Sequence, residues 1–466
     1  MLQSAAVIPP SEESSGAPVA RRRRFPDAFT LLLGCVLLAA LASFVLPPGQ
    51  YERRDDPATG RRLVVAGTFH AVERHPVGPF AALVAIPKGL LDAGPIVFLI
   101  FLVGGAFAVI ERTGVLGRGV GLLERALAGR EMLAIPACAL LFALGGIFEG
   151  MLEEIIALVP VLLLLARRVR LDPLTAVAMS MGAALVGGAF SPANPFQVGI
   201  AQKLAQLPLL SGAGFRTVVL VIALAAFIAW TMRYAARHRP DAVPAEALVG
   251  GAVSWRDIAV LVLVPLAFAV YVFGVLRLGW DFDQMSALFF AMGIGAGLLG
   301  GLGIEGTIEA YKHGFKDMAW AAIVVGFSRA IYLVLDQGRV IDSIVHALVT
   351  PIEGLSPTLA GLAMMAAHTV IHFPVPSPSG HAVLTIPILV PVSDLVGLSR
   401  QVTVLAFQYG TGLAEMLTPT NGAMMAILAA AGVGYERWLR FMLPIYAVLG
   451  ALGALAIVAA VALHLA

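Results

Sequence analysis

The sequence predicts an all-α polytopic membrane protein built as an inverted repeat, with two re-entrant hairpins and two broken helices. Three observations carry that prediction. The 466 residues are 59% hydrophobic and 13% charged, with a mean hydropathy of +0.89, which leaves too little polar surface to cover a soluble globule of this length. Punctuation recurs at a fixed interval: Pro160 and Pro387, Pro192 and Pro419, and Asn194 and Asn421 all pair at one ungapped offset of 227 residues, as two structural halves would. Finally, polar clusters interrupt apolar runs at matching positions of the halves, the sequence pattern of a secondary transporter's binding site.

Residues 1 to 27 are polar, rich in Pro and Ser, and end in Arg21 to Arg24; they predict a disordered cytoplasmic tail. A cleaved signal is the alternative, with Ala40-Leu41-Ala42 as its site or Leu32 to Cys35 as a loose lipobox. The run that follows is nevertheless long enough to span. Full crossings are expected near 28 to 47, 94 to 112, 174 to 206, 215 to 235, 255 to 276, 284 to 302, 318 to 336, 401 to 430 and 441 to 464. The stretches 132 to 165 and 358 to 392 are too long for one helix and too short for two, and read as hairpins that re-enter the membrane. Residues 79 to 92 and 304 to 317 read as amphipathic arms along the interface. Cys35 and Cys138 both lie inside apolar runs, so no disulfide framework is expected.

The halves are then 28 to 235 and 255 to 466, joined by a cytoplasmic linker, 236 to 254. The second half has one crossing more, 284 to 302, where the first has a polar loop. An extra crossing reverses everything after it, so the first hairpin should enter from the cytoplasm and the second from outside. With the N-terminus cytoplasmic in a bacterial inner membrane, Arg21 to Arg24, Arg167, Arg168, Arg170, Arg233, Arg237 and Arg239 all fall inside, as the positive-inside rule asks.

The first hairpin carries Glu149-Gly150-Met151-Leu152-Glu153-Glu154. A carboxylate inside a membrane is costly and reads as functional, paired with a proton, a cation or a basic group; a tip emerging into water is the plainer reading. The second hairpin has Pro376-Ser377-Pro378-Ser379-Gly380-His381, where hydroxyls and freed N–H groups make an anion or carboxylate pocket, or simply a turn. Ser191 and Asn194-Pro195 in one half, and Thr418, Thr420 and Asn421-Gly422 in the other, break long helices and offer amide and carbonyl oxygens suited to sodium; an ordinary proline kink is the alternative. Arg329 needs an anionic partner within the membrane, and Glu415 is a candidate. His368, His372 and His381 suggest packing, a proton relay or, with companion ligands missing, a metal.

Gly150-Met151 with Glu153-Glu154, Asn194-Pro195-Phe196, Pro376-Ser377 with Ser379-Gly380, Ser399-Arg400-Gln401, Ala406-Phe407-Gln408 and Pro419-Thr420 resemble the YfcC-like branch of the four-carbon dicarboxylate anaerobic carrier family, over nearly the whole chain beyond residue 25. The resemblance implies an elevator-type transporter of the ion-transporter superfamily, a scaffold domain beside a transport domain that holds the hairpins and breaks, and a homodimer. It also implies either C4-dicarboxylates or basic amino acids as substrate. The chain departs from the family pattern at Gly410-Thr411-Gly412, at Glu415, and at His381, where Gln is usual.

The expected function is secondary active transport of a small organic solute, by symport or exchange coupled to sodium or protons, in a lipid bilayer. No cofactor, no nucleic acid and no metal beyond sodium at Asn194 and Asn421 is expected, and the chain is not read as an enzyme. An ATP-driven pump lacks its GxxxxGK[ST] loop. A passive channel shares hairpins and repeats, while an intramembrane serine hydrolase using Ser379 and a histidine leaves both asparagines unexplained.

Overall fold

Apolar runs form long helices, several with a proline inside them (Pro160, Pro265, Pro387 and Pro444), and the chain breaks where polar residues accompany the Pro or Gly, as around Asn194 and Asn421. The computed structural model describes residues 28–56, 61–115, 118, 130–148, 150–240, 254–278, 280 and 282–465. The tail 1 to 27, most of the linker 236 to 254 and Glu149 lie outside these. Among the described residues the chain is nearly all helical, and six helices are long and apolar enough to cross a membrane. Helix α1 (Ala28–Val45) leads into a polar segment that carries four short strands: β1 (Gly49–Gln50) pairs with β4 (His70–Ala71) and β2 (Arg53–Asp56) with β3 (Arg61–Val64), both antiparallel. The Tyr51 N–H donates to Asp342 (2.9 Å), Arg53 pairs with Asp342 (2.8 Å), and Phe69 stacks on His346 with centroids 4.0 Å apart. Burial and the neighbouring Asp342 push the Tyr51 hydroxyl up to about 12.

Next come α2 (Pro79–Asp92) and α3 (Gly94–Arg112). Pro95, at the start of α3, cannot donate to the turn before it, so the two stay separate. The second half differs from expectation here. The arm 304 to 317 and the crossing 318 to 336 are one uninterrupted helix, Gly303–Gln337. The position 227 residues after Pro95 is Ala322, which has both an N–H and a high helix propensity. At about 1.5 Å per residue this helix is about 52 Å long, well beyond a hydrocarbon core of about 30 Å. Glycines let it lie close against its neighbours: a Cβ on Gly89 would collide with the Gly326 carbonyl, and one on Gly105 would press on Tyr311 and Phe315.

The first hairpin is α4 (Ala134–Phe148) and α5 (Glu153–Arg168), turning at Gly150, whose φ of +73° favours glycine. Then α6 (Pro173–Ala189) stops, and after Asn194 a second short stretch, α7 (195–204), resumes. After α8 (Ala213–Arg237), α9 (Trp255–Leu278) and α10 (Phe282–Leu299), the long helix just described is α11 and α12 is Ile341–Val349. The second hairpin is α13 (Pro357–His372) and α14 (Pro378–Leu395), and the second broken helix is α15 (Arg400–Ala414) and α16 (Gly422–Ala430), followed by α17 (Tyr435–Ala462). Helix starts recur at the sequence offset: Ala28 and Trp255, Pro173 and Arg400, Pro195 and Gly422 are each 227 residues apart. Part of the molecule, α3, α9, α10 and the first half of α11, shares a core of its own around Val103, Phe107, Phe289, Met292 and Tyr311.

Candidate functional site

A broken helix leaves carbonyls and N–H groups without partners, and these must be satisfied away from water. At the first break, Ser191 Oγ donates to the Ile147 carbonyl (2.8 Å) and Asn194 Nδ2 to the Gly146 carbonyl (2.7 Å), which fastens the break to the end of α4. Asn194 Oδ1 accepts from the N–H groups of Phe196 and Gln197, both at 2.9 Å, and so caps α7, with Pro195 in the first helical position. At the second break Asn421 Oδ1 accepts from the Met424 N–H (3.0 Å), and Thr420 Oγ1 donates to the Phe373 carbonyl of the second hairpin (2.6 Å). Gln408 Nε2 donates to the Ser191 carbonyl (2.7 Å) and Gln197 Nε2 to Glu415 (3.0 Å), so the two breaks are also tied to each other.

These contacts enclose a cavity of about 630 Å³. Of the residues expected at the site, Gly150, Glu153, Glu154, Asn194, Pro195, Arg329, Ser377, Ser379, Glu415, Thr420 and Asn421 line it. Ser191, Gly380 and Thr418 do not. Ser191 and Thr418 spend their hydroxyls on nearby backbone, and Gly380 donates its N–H to Ser377 Oγ (3.4 Å). His381 is not at the cavity either: it is fully buried between α13 and α15, 2.9 Å from His368 and against Phe407. An imidazole in the first turn of α14 points to whichever side the helix phase dictates, and here that side is the core.

Arg329 lines the cavity as expected but has a different partner from the candidate Glu415. Its guanidinium pairs with Asp92 and sits over the Tyr332 ring, 4.6 Å from the centroid, and not with Glu415. The break before Pro95 is what allows α2 to end with Asp92 beside α11. Glu415 instead lies between Gln197 and His372, lining the same cavity as Glu153. Glu154 is buried, accepting from the Leu152 N–H (3.1 Å) and the Tyr271 hydroxyl (3.5 Å). Both Glu153 and Glu154 stand in the first turn of α5, where the helix dipole favours negative charge. Sequence reasoning missed Asp92, Gln197, Tyr271 and Ser328 as cavity residues; the polar Gln197 inside an apolar run was the one signal available.

A bundle of apolar helices holding broken ends and carboxylates around one internal cavity is the architecture of a multi-pass membrane transporter. The model of the C4-dicarboxylate anaerobic carrier family matches residues 25–462, and the chain belongs to that family. Among relatives, the "Putative basic amino acid antiporter YfcC" of Escherichia coli (strain K12) is 32% identical over 471 residues, covering 90% of this chain and 93% of the relative. An uncharacterized protein of Haemophilus influenzae is 27% identical, covering 94% and 97%. Two solved transporters are similar in outline: the Alcanivorax borkumensis YdaH transporter (TM-score 0.44, 14% identity, 94% of this chain and 99% of that one) and Neisseria gonorrhoeae MtrF, described among antimetabolite efflux pumps (TM-score 0.39, 16% identity, 93% and 95%).

Proposed function

We propose that this chain is a secondary carrier that exchanges a small cationic solute, of the basic amino acid class, against protons. The observation that carries this reading is the charge of the cavity. Among its described lining residues are four carboxylates, Asp92, Glu153, Glu154 and Glu415, and one cation, Arg329, which Asp92 already neutralises. Three further acids around one cavity repel a dicarboxylate and attract an ammonium or guanidinium group. Ser377 and the N-termini of α7, α14 and α16 suit the carboxylate that every amino acid also carries.

Protons are preferred to sodium as the coupling ion because both lone pairs of Asn194 Oδ1 already serve as helix caps. The recurrence of helix starts at 227 residues supports an inverted repeat, and the separate core of α3, α9 and α10 supports a scaffold against which the hairpins move. A C4-dicarboxylate is the second reading, favoured by the family's description; the acids would then carry coupling protons. The alternative of a hydrolase built on Ser379 gains no support, since among the described residues none of the three imidazoles bonds that serine.

The test is uptake into proteoliposomes of L-arginine, L-lysine, succinate and fumarate under separately imposed proton and sodium gradients. Trans-stimulated arginine or lysine uptake driven by a pH gradient is expected, and it also separates a carrier from a pore. Succinate uptake with no response to basic amino acids overturns the cationic reading. Glu153→Gln and Glu154→Gln should remove arginine binding at every pH; variants that keep exchange but lose acceleration by a pH gradient would favour the anion.

A further inference from the structure

Behind the cavity, where the second hairpin packs on α15, a cluster of three imidazoles meets Glu415 through His372. His368 and His372 stand one turn apart on α13 and His381 in the first turn of α14, all fully buried. His372 Nε2 lies 3.9 Å from Glu415 Oε1, and the other carboxylate oxygen accepts from Gln197. His381 stacks beside His372, with centroids 5.8 Å apart and rings 19° from parallel, and its Nε2 is 2.9 Å from His368 Nδ1. Such a nitrogen-to-nitrogen contact requires one hydrogen between the rings, which fixes both.

The remaining ring nitrogens, His368 Nε2, His372 Nδ1 and Nε2 and His381 Nδ1, are buried without a hydrogen-bond partner. Every tautomer leaves donors among them unpaired, a cost that phenylalanine or leucine at these positions would not incur. Packing alone therefore does not account for three imidazoles. Titratable or charged groups on the elements packed around them are Tyr409 on α15 and Glu415 just after it, Glu153 across the cavity, Arg216 on α8, Tyr446 on α17, the exposed Lys203 on α7, and Asp394 and Arg400, which pair with each other at the far ends of α14 and α15. Of these, Glu415 alone is described within 4 Å of an imidazole nitrogen.

We propose that the coupling proton is held between the Glu415 carboxylate and His372, with His381 and His368 positioning the His372 ring. The proposal rests on the cationic-solute reading above. With the cavity empty, Glu415 Oε1 and His372 Nε2 share one proton, and closing their gap to hydrogen-bond length takes a shift of about 1 Å. A cation entering the cavity pairs with the carboxylate and repels that proton. The proton leaves through the cavity, no bond other than its own to oxygen or nitrogen being made or broken. Substrate and proton then exclude one another, which is the condition for exchange.

The experiment is arginine binding to the detergent-purified full chain as a function of pH, for wild type, His372→Phe and His372→Gln, with a cooperative melting curve and a monodisperse size-exclusion peak in detergent certifying the fold of each. In wild type, arginine affinity should fall about tenfold for each unit by which pH is lowered through the range where one proton competes. In both variants the competing range should move down by about one pH unit or more, because the proton has lost its second holder. An unchanged or upward-shifted range in either folded variant overturns the site. So does a wild-type affinity independent of pH, which keeps the proposal open to refutation should neither variant fold. Absence of any arginine or lysine binding overturns the cationic reading and the proton site with it, whereas binding with an unmoved pH profile overturns the proton site alone.

Discussion

Asn194 ties together three pieces of chain, donating to Gly146 and accepting from Phe196 and Gln197. Removing a cap of this kind costs about 1–2 kcal/mol, and Asn194→Ala also strands the Gly146 carbonyl. A lowered melting temperature in detergent is therefore expected, and an unchanged one would show that the break is held by other groups. Sequence alone suggested an amide oxygen free for sodium, because Asn before Pro serves equally as ligand and as helix cap, and only the positions of the two N–H groups decide. Arg216 was invisible for a different reason, lying at the mouth of an ordinary apolar crossing. It is fully buried and bonded to neutral oxygens of Gln408 (2.9 Å), Gln401 (3.0 Å) and Ser211 (2.6 Å). Gln408→Leu removes one of these and also the donor to Ser191, so a loss of about 1.5–3 kcal/mol is expected by thermal unfolding.

At the scale of elements, the most informative comparison is between Pro95 and Ala322. The repeat offset aligned them, yet one begins a helix and the other lies deep inside one. Ala322→Pro should cost about 3 kcal/mol or more, while Pro95→Ala should leave stability within about 1 kcal/mol; equal effects on melting temperature would contradict the assigned break. Close packing makes a similar contrast. A Cβ on Gly187 would press on the Ala143 carbonyl and Cα, whereas around Gly34 there is open space. Gly187→Ala should therefore destabilise by about 1–3 kcal/mol and Gly34→Ala should not. The helices themselves were legible from hydropathy, although Pro160, Pro265, Pro387 and Pro444 lie inside them, so proline alone does not mark an end. What was not read is that arm 304 to 317 stays joined to its span: Pro95 stands three residues after arm 79 to 92, whereas no proline occurs between 304 and 337, and the apparent symmetry of the repeat hid that difference.

For the whole molecule, the inverted-repeat reading of the charge distribution predicts that residues 166 to 171 and 393 to 400 lie on opposite sides of the membrane. Single cysteines at Arg168 and Ser399, in a background lacking Cys35 and Cys138, should be labelled by an impermeant thiol reagent from opposite faces; labelling from one face would remove the inverted repeat. The acids of the site were readable as charge inside apolar runs. Their partners were not, because Asp92 reaches Arg329 from 237 residues away and only the path of α2 brings it there.

The unbroken α11 has a mechanical consequence. Its first half belongs to the core shared with α3 and α10, and farther along, Val325 and Ser328 lie directly under Gly422, with a Cβ there only 3.2 and 3.4 Å away. One stiff rod thus passes both the part expected to stand still and the part expected to travel, and on the elevator reading it would serve as a rail. Ridges repeat along a helix once per turn, so a load sliding on it comes to rest at intervals of about 5.4 Å. Spin labels on α11 and α16 should then report discrete separations with gaps of about that size, and a single continuous distribution would mean that the rail bends.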